Sequence, residues 1–555
     1  MKRRNAVHLV VWSFLAAAGC SSTSAPALPA CSSALASQVA LPVGRDTTLD
    51  PAADSGCVTF AANLSAVDSV EYLLVPQSTA GTFGESSPFL LRTTTLTAAA
   101  PAVGQGVIAS SSPRLAAVQF DGFLRHLARS GPAGAAALAR SATVPSPTTV
   151  TPLPAGPPSP GSLRTFTVCA KLDCSSFKAV TARARTVGAH IAIYVDTAAP
   201  KAGLDSADLD TLKQEFDSRL YPLDTATFGG VSDIDANSVV IVLMTGVVNK
   251  LVSKATCLSR GFIAGFFFSA DLEITAPPSI SNHGEVFYSI VADSAGTLSC
   301  SHSRTQVKRV LPGTFTHEFQ HMISYVQHVL VRVGQSEEGW LDEGLSKYAE
   351  ELAGRSYLPG DTAKFSQYAI GDVYDAYQYL SATGTSPLLI EFDQGTLAEV
   401  GASWLFVRYL VDQYGAALPG KLDQTTLSGA VNVAAQTGHA FDTTVTRWAL
   451  ANWVSDLPGF TAPPELQYTS WHFRTTYASL NAQDPANFPL PYPLVPTRSA
   501  GSAVSLSGTL RSGSGVYQRA LQGPSAPAYT LLFRRSATSL FPTALGARLN
   551  VIRIR

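Results

Sequence analysis

The spacing of apolar residues changes character several times along the chain, and each change predicts a different kind of element. Residues 31 to about 95 hold short β-rich runs, 58–61 and 70–75 among them, punctuated by Gly, Pro, Ser and Asp, so a small β-domain is expected there. From about 114 to 140, Leu115, Val118, Phe120, Phe123 and Leu124 recur at helical spacing and give an apolar face. Gly131-Pro132 should break that helix, because proline has no N–H to donate and its ring collides with the preceding turn. The segment TVPSPTTVTPLPAGPPSPGS, residues 143–162, has too many prolines for helix or central strand and reads as an exposed linker at a domain boundary.

Beyond the linker, residues 164–168 and 190–196 read as strands, 206–220 as a helix and 238–244 as a buried strand. Residues 305–455 are mainly of helical pattern, and about 495–555 return to short strands with Gly and Ser turns. The expected fold is multidomain. An α+β core over 163–490 lies between an N-terminal β-rich domain with its helical segment, 31–142, and a C-terminal β-rich domain, 491–555. A chain of 555 residues is longer than one hydrophobic core usually supports, in line with that division. No internal period marks a repeat array.

Composition narrows the class. With 46% hydrophobic and 14% charged residues and a net charge of -1, the chain offers no field that would gather a polyanion, so nucleic acid is not an expected partner. The first twenty residues run from Lys2, Arg3 and Arg4 through an apolar stretch, 7–18, to Gly19-Cys20, the plan of a secretory signal. Small residues before Cys20, with Ser21 and Ser22 after it, resemble a lipoprotein processing site, although Ala17 stands where that pattern usually has leucine. Residues 21–30 then form a tether, and the protein is expected to be exported: an outer-membrane or cell-surface lipoprotein attached through lipidated Cys20, otherwise extracellular. Setting Cys20 aside leaves six cysteines. The simplest pairing joins neighbours, Cys31 to Cys57, Cys169 to Cys174 and Cys257 to Cys300, one of fifteen arrangements that six cysteines allow.

The chemistry is concentrated in TFTHEFQHMI, residues 314–323, which contains His-Glu-x-x-His in a proline-free, helix-favouring frame. Residues four apart project from one face of a helix, so His317 and His321 can converge on one zinc at about 2.0 to 2.1 Å each. Glu318 beside them can act as general base, taking a proton from the attacking water and passing it to the leaving amine. A metzincin ending would need Gly at 324 and His at 327, where Ser324 and Gln327 stand. His328 is one place late for that role and reads as a helix or turn histidine. Further on, within GWLDEGLSKYAE, residues 339–350, a second helix is expected to begin near Asp342 and to present Glu343 in its first turn as third metal ligand.

Together HEFQHMI, WLDEGLSKYAE and GASWLFVRYLVDQYG resemble the hyicolysin family of bacterial metallopeptidases over about 164–455. The resemblance implies a gluzincin-like core and a zinc-dependent endopeptidase acting on proteins or peptides, with ligand roles on His317, His321 and Glu343 and the base on Glu318. Thermolysin-type enzymes carry an aspartate four residues after the glutamate ligand to orient the first histidine. Here Lys347 occupies that place, leaving Asp342 or Ser346 as candidates for the task. The Gly-x-Met-Glu-Asn motif of the related aminopeptidases does not precede His317, which favours an endopeptidase.

Other signals are weaker. Tyr374, Tyr377 and Tyr379 are candidates for stabilising an oxyanion but are better read as packing, and His283 and His302 as ordinary surface or core histidines. The string 233–238, DIDANS, resembles the start of a calcium loop. An EF-hand would need Gly at 238 and Glu at 244, where Ser238 and Met244 stand, so a polar turn is preferred and calcium is the lesser alternative. A rival from another class is a surface binding lipoprotein with a structural zinc site, which would have no use for Glu318.

Overall fold

The computed structural model describes residues 31, 36–95, 115–144, 156–390 and 396–555. The expected signal, Cys20, the tether and positions 145–155 of the proline-rich linker lie outside the described residues. In chain order the strands are β1 Ser37–Val39, β2 Asp46–Leu49, β3 Cys57–Phe60, β4 Val70–Ser78, β5 Ser86–Thr93, β6 Leu163–Cys169, β7 Phe177–Val187, β8 Ile191–Asp196, β9 Val240–Met244, β10 Gly265–Phe267, β11 Val286–Ser289, β12 Thr497–Ala500, β13 Ser505–Arg511, β14 Gln518–Gln522, β15 Tyr529–Arg534 and β16 Ala547–Arg553.

Strands from the two ends of the chain interleave in two five-stranded sheets, ordered β1-β3-β15-β5-β13 and β12-β14-β4-β16-β2. Both neighbours of β15 come from the N-terminal segment, and both neighbours of β4 come from the C-terminal one. The two separate β-rich domains expected from the sequence are therefore one β-sandwich. Alternation along a strand tells which face is buried, but it carries no signal for a partner hundreds of residues away. The shared core holds Phe60, Tyr72, Leu74, Phe89, Leu531 and Phe533, with the Phe60 and Tyr72 rings 4.9 Å apart.

Alternate residues of β4, Leu73 and Val75, point the other way and join the core of the rest of the chain. That outer face meets the helix Phe441–Val454, to which the Tyr517 hydroxyl donates at the Ala449 carbonyl, 2.7 Å away. β4 is thus buried on both faces, as its continuous apolar run requires. Its one charged residue, Glu71, is buried and paired with Arg498 and Arg519 at 3.0 and 2.8 Å.

Between the two halves of the sandwich the chain builds a mixed six-stranded sheet, β10-β11-β9-β8-β7-β6. β8, β9 and β11 run parallel at its centre, and β9 is buried along its whole length. β10 is an antiparallel edge strand. Against this edge lies the histidine helix, Arg304–Tyr325, whose Phe315 ring sits 5.3 Å from Phe287 of β11. The glutamate helix, Gly339–Arg355, packs between the histidine helix and the helix Leu397–Tyr414. Gly344 and Gly401 are required by close helix crossings, the second one with the helix Thr362–Ser381. A Cβ on Gly344 would come within 2.8 Å of the Ser403 carbonyl, and one on Gly401 within 2.0 Å of the Asp375 carbonyl.

The helix expected near 114–140 spans Ala116–Ser141, with Gly131 out of helical conformation just before Pro132. All three neighbour disulfides, Cys31–Cys57, Cys169–Cys174 and Cys257–Cys300, are formed. Among the described residues no helix is long and apolar enough to cross a membrane.

Deleting residues 497–555 removes both hydrogen-bonded neighbours of β4 and the strand between β3 and β5. The shortened chain should therefore lose residues 36–95 to limited proteolysis. A truncated protein whose 36–95 segment stays protease-resistant would contradict the shared sandwich.

Candidate metal centre

The histidine helix begins at Ser303, whose hydroxyl accepts from the Gln306 N–H at 3.1 Å and satisfies one of the free amides of the first turn. Four turns on, His317 and His321 project from one face, and the Nε2 atoms of the two rings stand 3.1 Å apart. The glutamate helix brings Glu343 to the same point. Its carboxylate oxygens lie 3.6 Å from His317 Nε2 and 3.4 Å from His321 Nε2. A tetrahedral ion with bonds of about 2.0 to 2.1 Å needs ligand atoms about 3.3 Å from one another, and the three separations bracket that value. Glu343 Oε1 is buried and receives no hydrogen bond. The three residues therefore fit a divalent metal with nitrogen and oxygen ligands, and leave a position for a further ligand.

Each imidazole is oriented from behind. His317 Nδ1 lies 2.9 Å from Glu350 Oε1, and His321 Nδ1 lies 2.9 Å from Asp342 Oδ2. The Ser346 hydroxyl stands 2.9 Å from the same His321 nitrogen while donating to Gln320. Asp342 and Ser346, considered above for the first histidine, thus serve the second. The first is held by Glu350, which the sequence reading passed over. Its signal was available: Glu350 lies seven residues after Glu343, two turns along the same helix face. Lys347 is the reason Glu350 can do this. Its ammonium lies 3.3 Å from Glu350, 3.3 Å from Asp372 and 3.7 Å from Asp375. Burial would raise the Glu350 carboxyl, but the Lys347 charge and the His317 bond hold it below its usual range.

Glu318 is buried at the edge of the mixed sheet, where its Oε2 accepts the Phe267 N–H of β10 at 2.8 Å. Asp342 makes a second contact, a buried ion pair at 3.1 Å with Arg125 of the helix Ala116–Ser141. Burial and the Arg125 charge depress His321, yet the Asp342 and Glu343 carboxylates outweigh them and lift it to about 10. Burial likewise opposes ionisation of Glu343, but the two histidines and Arg125 bring it down to about 2. A cavity of about 80 Å³ opens beside Glu343, lined by Val118, Gly122, Arg125, His126 and Trp340 among others.

The other candidates lie apart from this cluster. His328 is buried beyond the end of the histidine helix, 3.8 Å from Glu337 and 3.9 Å from Asp423, and burial takes it down to about 4. His302 packs on Phe262 beside the Cys257–Cys300 bridge, and His283 Nε2 lies 2.7 Å from the Ala276 carbonyl. Tyr374 packs on Phe488, Tyr377 bonds the backbone of Leu490, and Tyr379 stacks on Trp448. Asp233 and Asp235 are gathered with Glu285, from 50 residues on, into a second carboxylate group. Arg164 already supplies a positive charge there, 3.6 Å from Asp235.

Two outcomes are expected. Glu350→Ala should weaken metal affinity by about 10- to 100-fold with all three ligands intact, as read by competition with a chromogenic chelator; unchanged affinity would remove Glu350 from the site. The second concerns pH. In the metal-free protein His321 titrates at about 10 against an ordinary value of 6.5, so its stabilising contribution is complete below 6.5 and lost as pH rises through about 10. A bound metal takes the place of that proton. The melting temperatures of the metal-loaded and metal-free protein should therefore diverge between those pH values, and a constant gap would show that His321 is not the titrating group.

No protein-family model matches the chain. Over 205 residues it is 28% identical to the neutral metalloprotease ShpI of Staphylococcus hyicus, an alignment that covers 36% of this chain and 41% of that protein. The chain thus spans less than half the length of this curated relative. The similarity supports a metallopeptidase relationship, and with it a metal cofactor.

Proposed function

We propose that the chain is an exported zinc-dependent metalloendopeptidase of the gluzincin type, akin to the hyicolysins, that hydrolyses peptide bonds in proteins or peptides and is attached to the membrane through lipidated Cys20. The observation that carries the reading is the convergence of His317 Nε2, His321 Nε2 and Glu343 at 3.1 to 3.6 Å, with Glu318 next in sequence to a ligand and buried on the same helix. Similarity to a protein named as a neutral metalloprotease supports the same class.

Zinc held by these three residues would supply Lewis-acid polarisation of the scissile carbonyl and acidify a water in the remaining position. Glu318 takes the proton of that attacking water. Because the Phe267 N–H engages its Oε2, Oε1 is the oxygen left to receive the proton and carry it to the leaving amine. Glu350 and Asp342 keep the two Nδ1 protons on the outer side of the rings, so that both Nε2 lone pairs face inward. Lys347 and Arg125 keep those carboxylates charged.

Glu318→Gln removes the proton acceptor and none of the ligands. Chelator-sensitive hydrolysis of an unstructured peptide should fall by about 10²- to 10⁴-fold while zinc stoichiometry is unchanged. Equal hydrolysis by the variant and the parent, or a purified chain that takes up no zinc, would sink the proposal. Zinc retention together with peptide binding but no cleavage in any variant would favour the surface-binding alternative.

A further inference from the structure

The aspartate string that fails as an EF-hand acquires a third carboxylate once the chain is folded. Asp233 and Asp235 lie in the turn before β9, and Glu285 lies immediately before β11, the strand beside β9. One oxygen from each of the three stands within 4.8 Å of the other two. Oxygens bound to one calcium ion at about 2.3 to 2.6 Å are at most about 5 Å apart, so a single ion can reach all three. An EF-hand takes its closing glutamate from the end of the same loop, whereas here it comes from 50 residues on, across two neighbouring strands.

Glu285 reaches this group from the interior. It is 1% exposed, and its Oε1 accepts the Ser232 hydroxyl at 2.6 Å and the Ile234 N–H at 2.9 Å. Its Oε2 is buried as well and receives no hydrogen bond. A carboxylate oxygen stripped of water and left without a donor is costly to hold, unless a cation stands in for the donors.

Arg164 does not meet that need. Its Nη1 lies 3.6 Å from Asp235 Oδ2, its Nη2 donates to the Asn282 carbonyl at 2.8 Å, and its guanidinium lies over the Phe166 ring. Among the described residues neither Asp233 nor Glu285 has an ion-pair partner. One positive charge therefore faces three negative ones, a deficit equal to one divalent ion. Burial and then the Asp235 charge push the Glu285 carboxyl above its usual range, and burial and Asp233 lift Asp235 against the pull of Arg164.

We propose that Asp233, Asp235 and Glu285 form a calcium site, separate from the centre made by His317, His321 and Glu343, that ties the turn before β9 to the turn before β11. The donors are all oxygen, which selects a hard cation, and Asp233 is exposed, so water can complete a shell of six to eight ligands. Magnesium dehydrates reluctantly and asks for near-ideal octahedral geometry, which carboxylates from two loops are poorly placed to give. The two turns are in contact already: a Cβ on Gly284 would lie 2.7 Å from Asp235 Oδ2. Binding then orders little that the fold has not ordered. β11 in turn carries β10, whose Phe267 N–H holds Glu318, so the ion steadies the sheet edge beside the base. The site stands whether or not the chain is a peptidase.

The test titrates the full chain with Ca²⁺ by calorimetry, with one equivalent of Zn²⁺ present, and follows its melting temperature with and without Ca²⁺. The parent should bind one Ca²⁺ with a dissociation constant of about 10⁻³ M or tighter and melt at a higher temperature in saturating Ca²⁺. Glu285→Gln keeps an oxygen for Ser232 and Ile234 and changes only the free one, and Asp233→Asn keeps the acceptor of the Ser238 N–H. Both should bind Ca²⁺ at least about tenfold more weakly and lose the thermal response. A parent that shows neither binding nor a thermal response would overturn the proposal, as would variants that respond as the parent does. Ca²⁺ binding that survives in both variants and is lost in Glu343→Gln would belong to the other centre and overturn it equally.

Discussion

Two imidazole nitrogens 3.1 Å apart, each with a carboxylate oxygen of Glu343 within 3.6 Å, form a cluster made only of acceptors when the opposite ring nitrogens donate hydrogen bonds to Glu350 and Asp342. Such a cluster is not stable in a buried place by itself, since lone pairs aimed at one another repel where water cannot screen them. Something positive must sit among them. In the metal-free chain a proton does so, which is why His321 holds one up to about 10. A metal ion does it better, because it satisfies all three at once.

The need to keep those lone pairs inward propagates outward through alternating charge. Behind His317 stands Glu350, and behind Glu350 stands Lys347; behind His321 stands Asp342, and behind Asp342 stands Arg125. Each histidine has its carboxylate and each carboxylate its cation, all of them buried or nearly so. Removing the outer cation would leave a carboxylate uncompensated, and it would then take the imidazole proton for itself or recover its own. Lys347 is a departure from the thermolysin pattern that the geometry explains. It does not replace the missing aspartate but secures the glutamate one residue short of the next turn that does that work, and it also balances Asp372 and Asp375.

What could be read in the sequence was local, and what could not was remote. His317, Glu318 and His321 were legible because helix geometry alone places residues four apart on one face, and Glu343 because its motif has helical character, although the helix starts at Gly339 and not near Asp342. Gly344 and Gly401 fall within the motifs, yet their reason, a backbone approach too close for a Cβ, belongs to helix pairs that no periodicity reveals. The sandwich failed for the same cause. β4 is readable as a β-rich run at 70–75, but its partners β14 and β16 lie more than four hundred residues on. Arg125 is the sharpest case. In sequence it is one basic residue in a predicted helix, and nothing nearby indicates a carboxylate at position 342.

The interleaved sandwich bears on how the N-terminal helix stays in place. Its strands bind the two ends of the chain to each other, and the helix enters from β5 and leaves towards β6, so it is held near the cleft at the effective concentration of an intramolecular ligand. Modest contacts are then sufficient. The Arg125–Asp342 pair is not what locks the helix, for undocking returns both charges to water and relieves their desolvation as it breaks their attraction. Asp342 would still keep His321 as its partner. The contact that undocking cannot replace is the Phe120–Phe266 packing, which water does not reproduce. The apolar face therefore holds the helix in place, and the buried ion pair fixes where along the glutamate helix it sits.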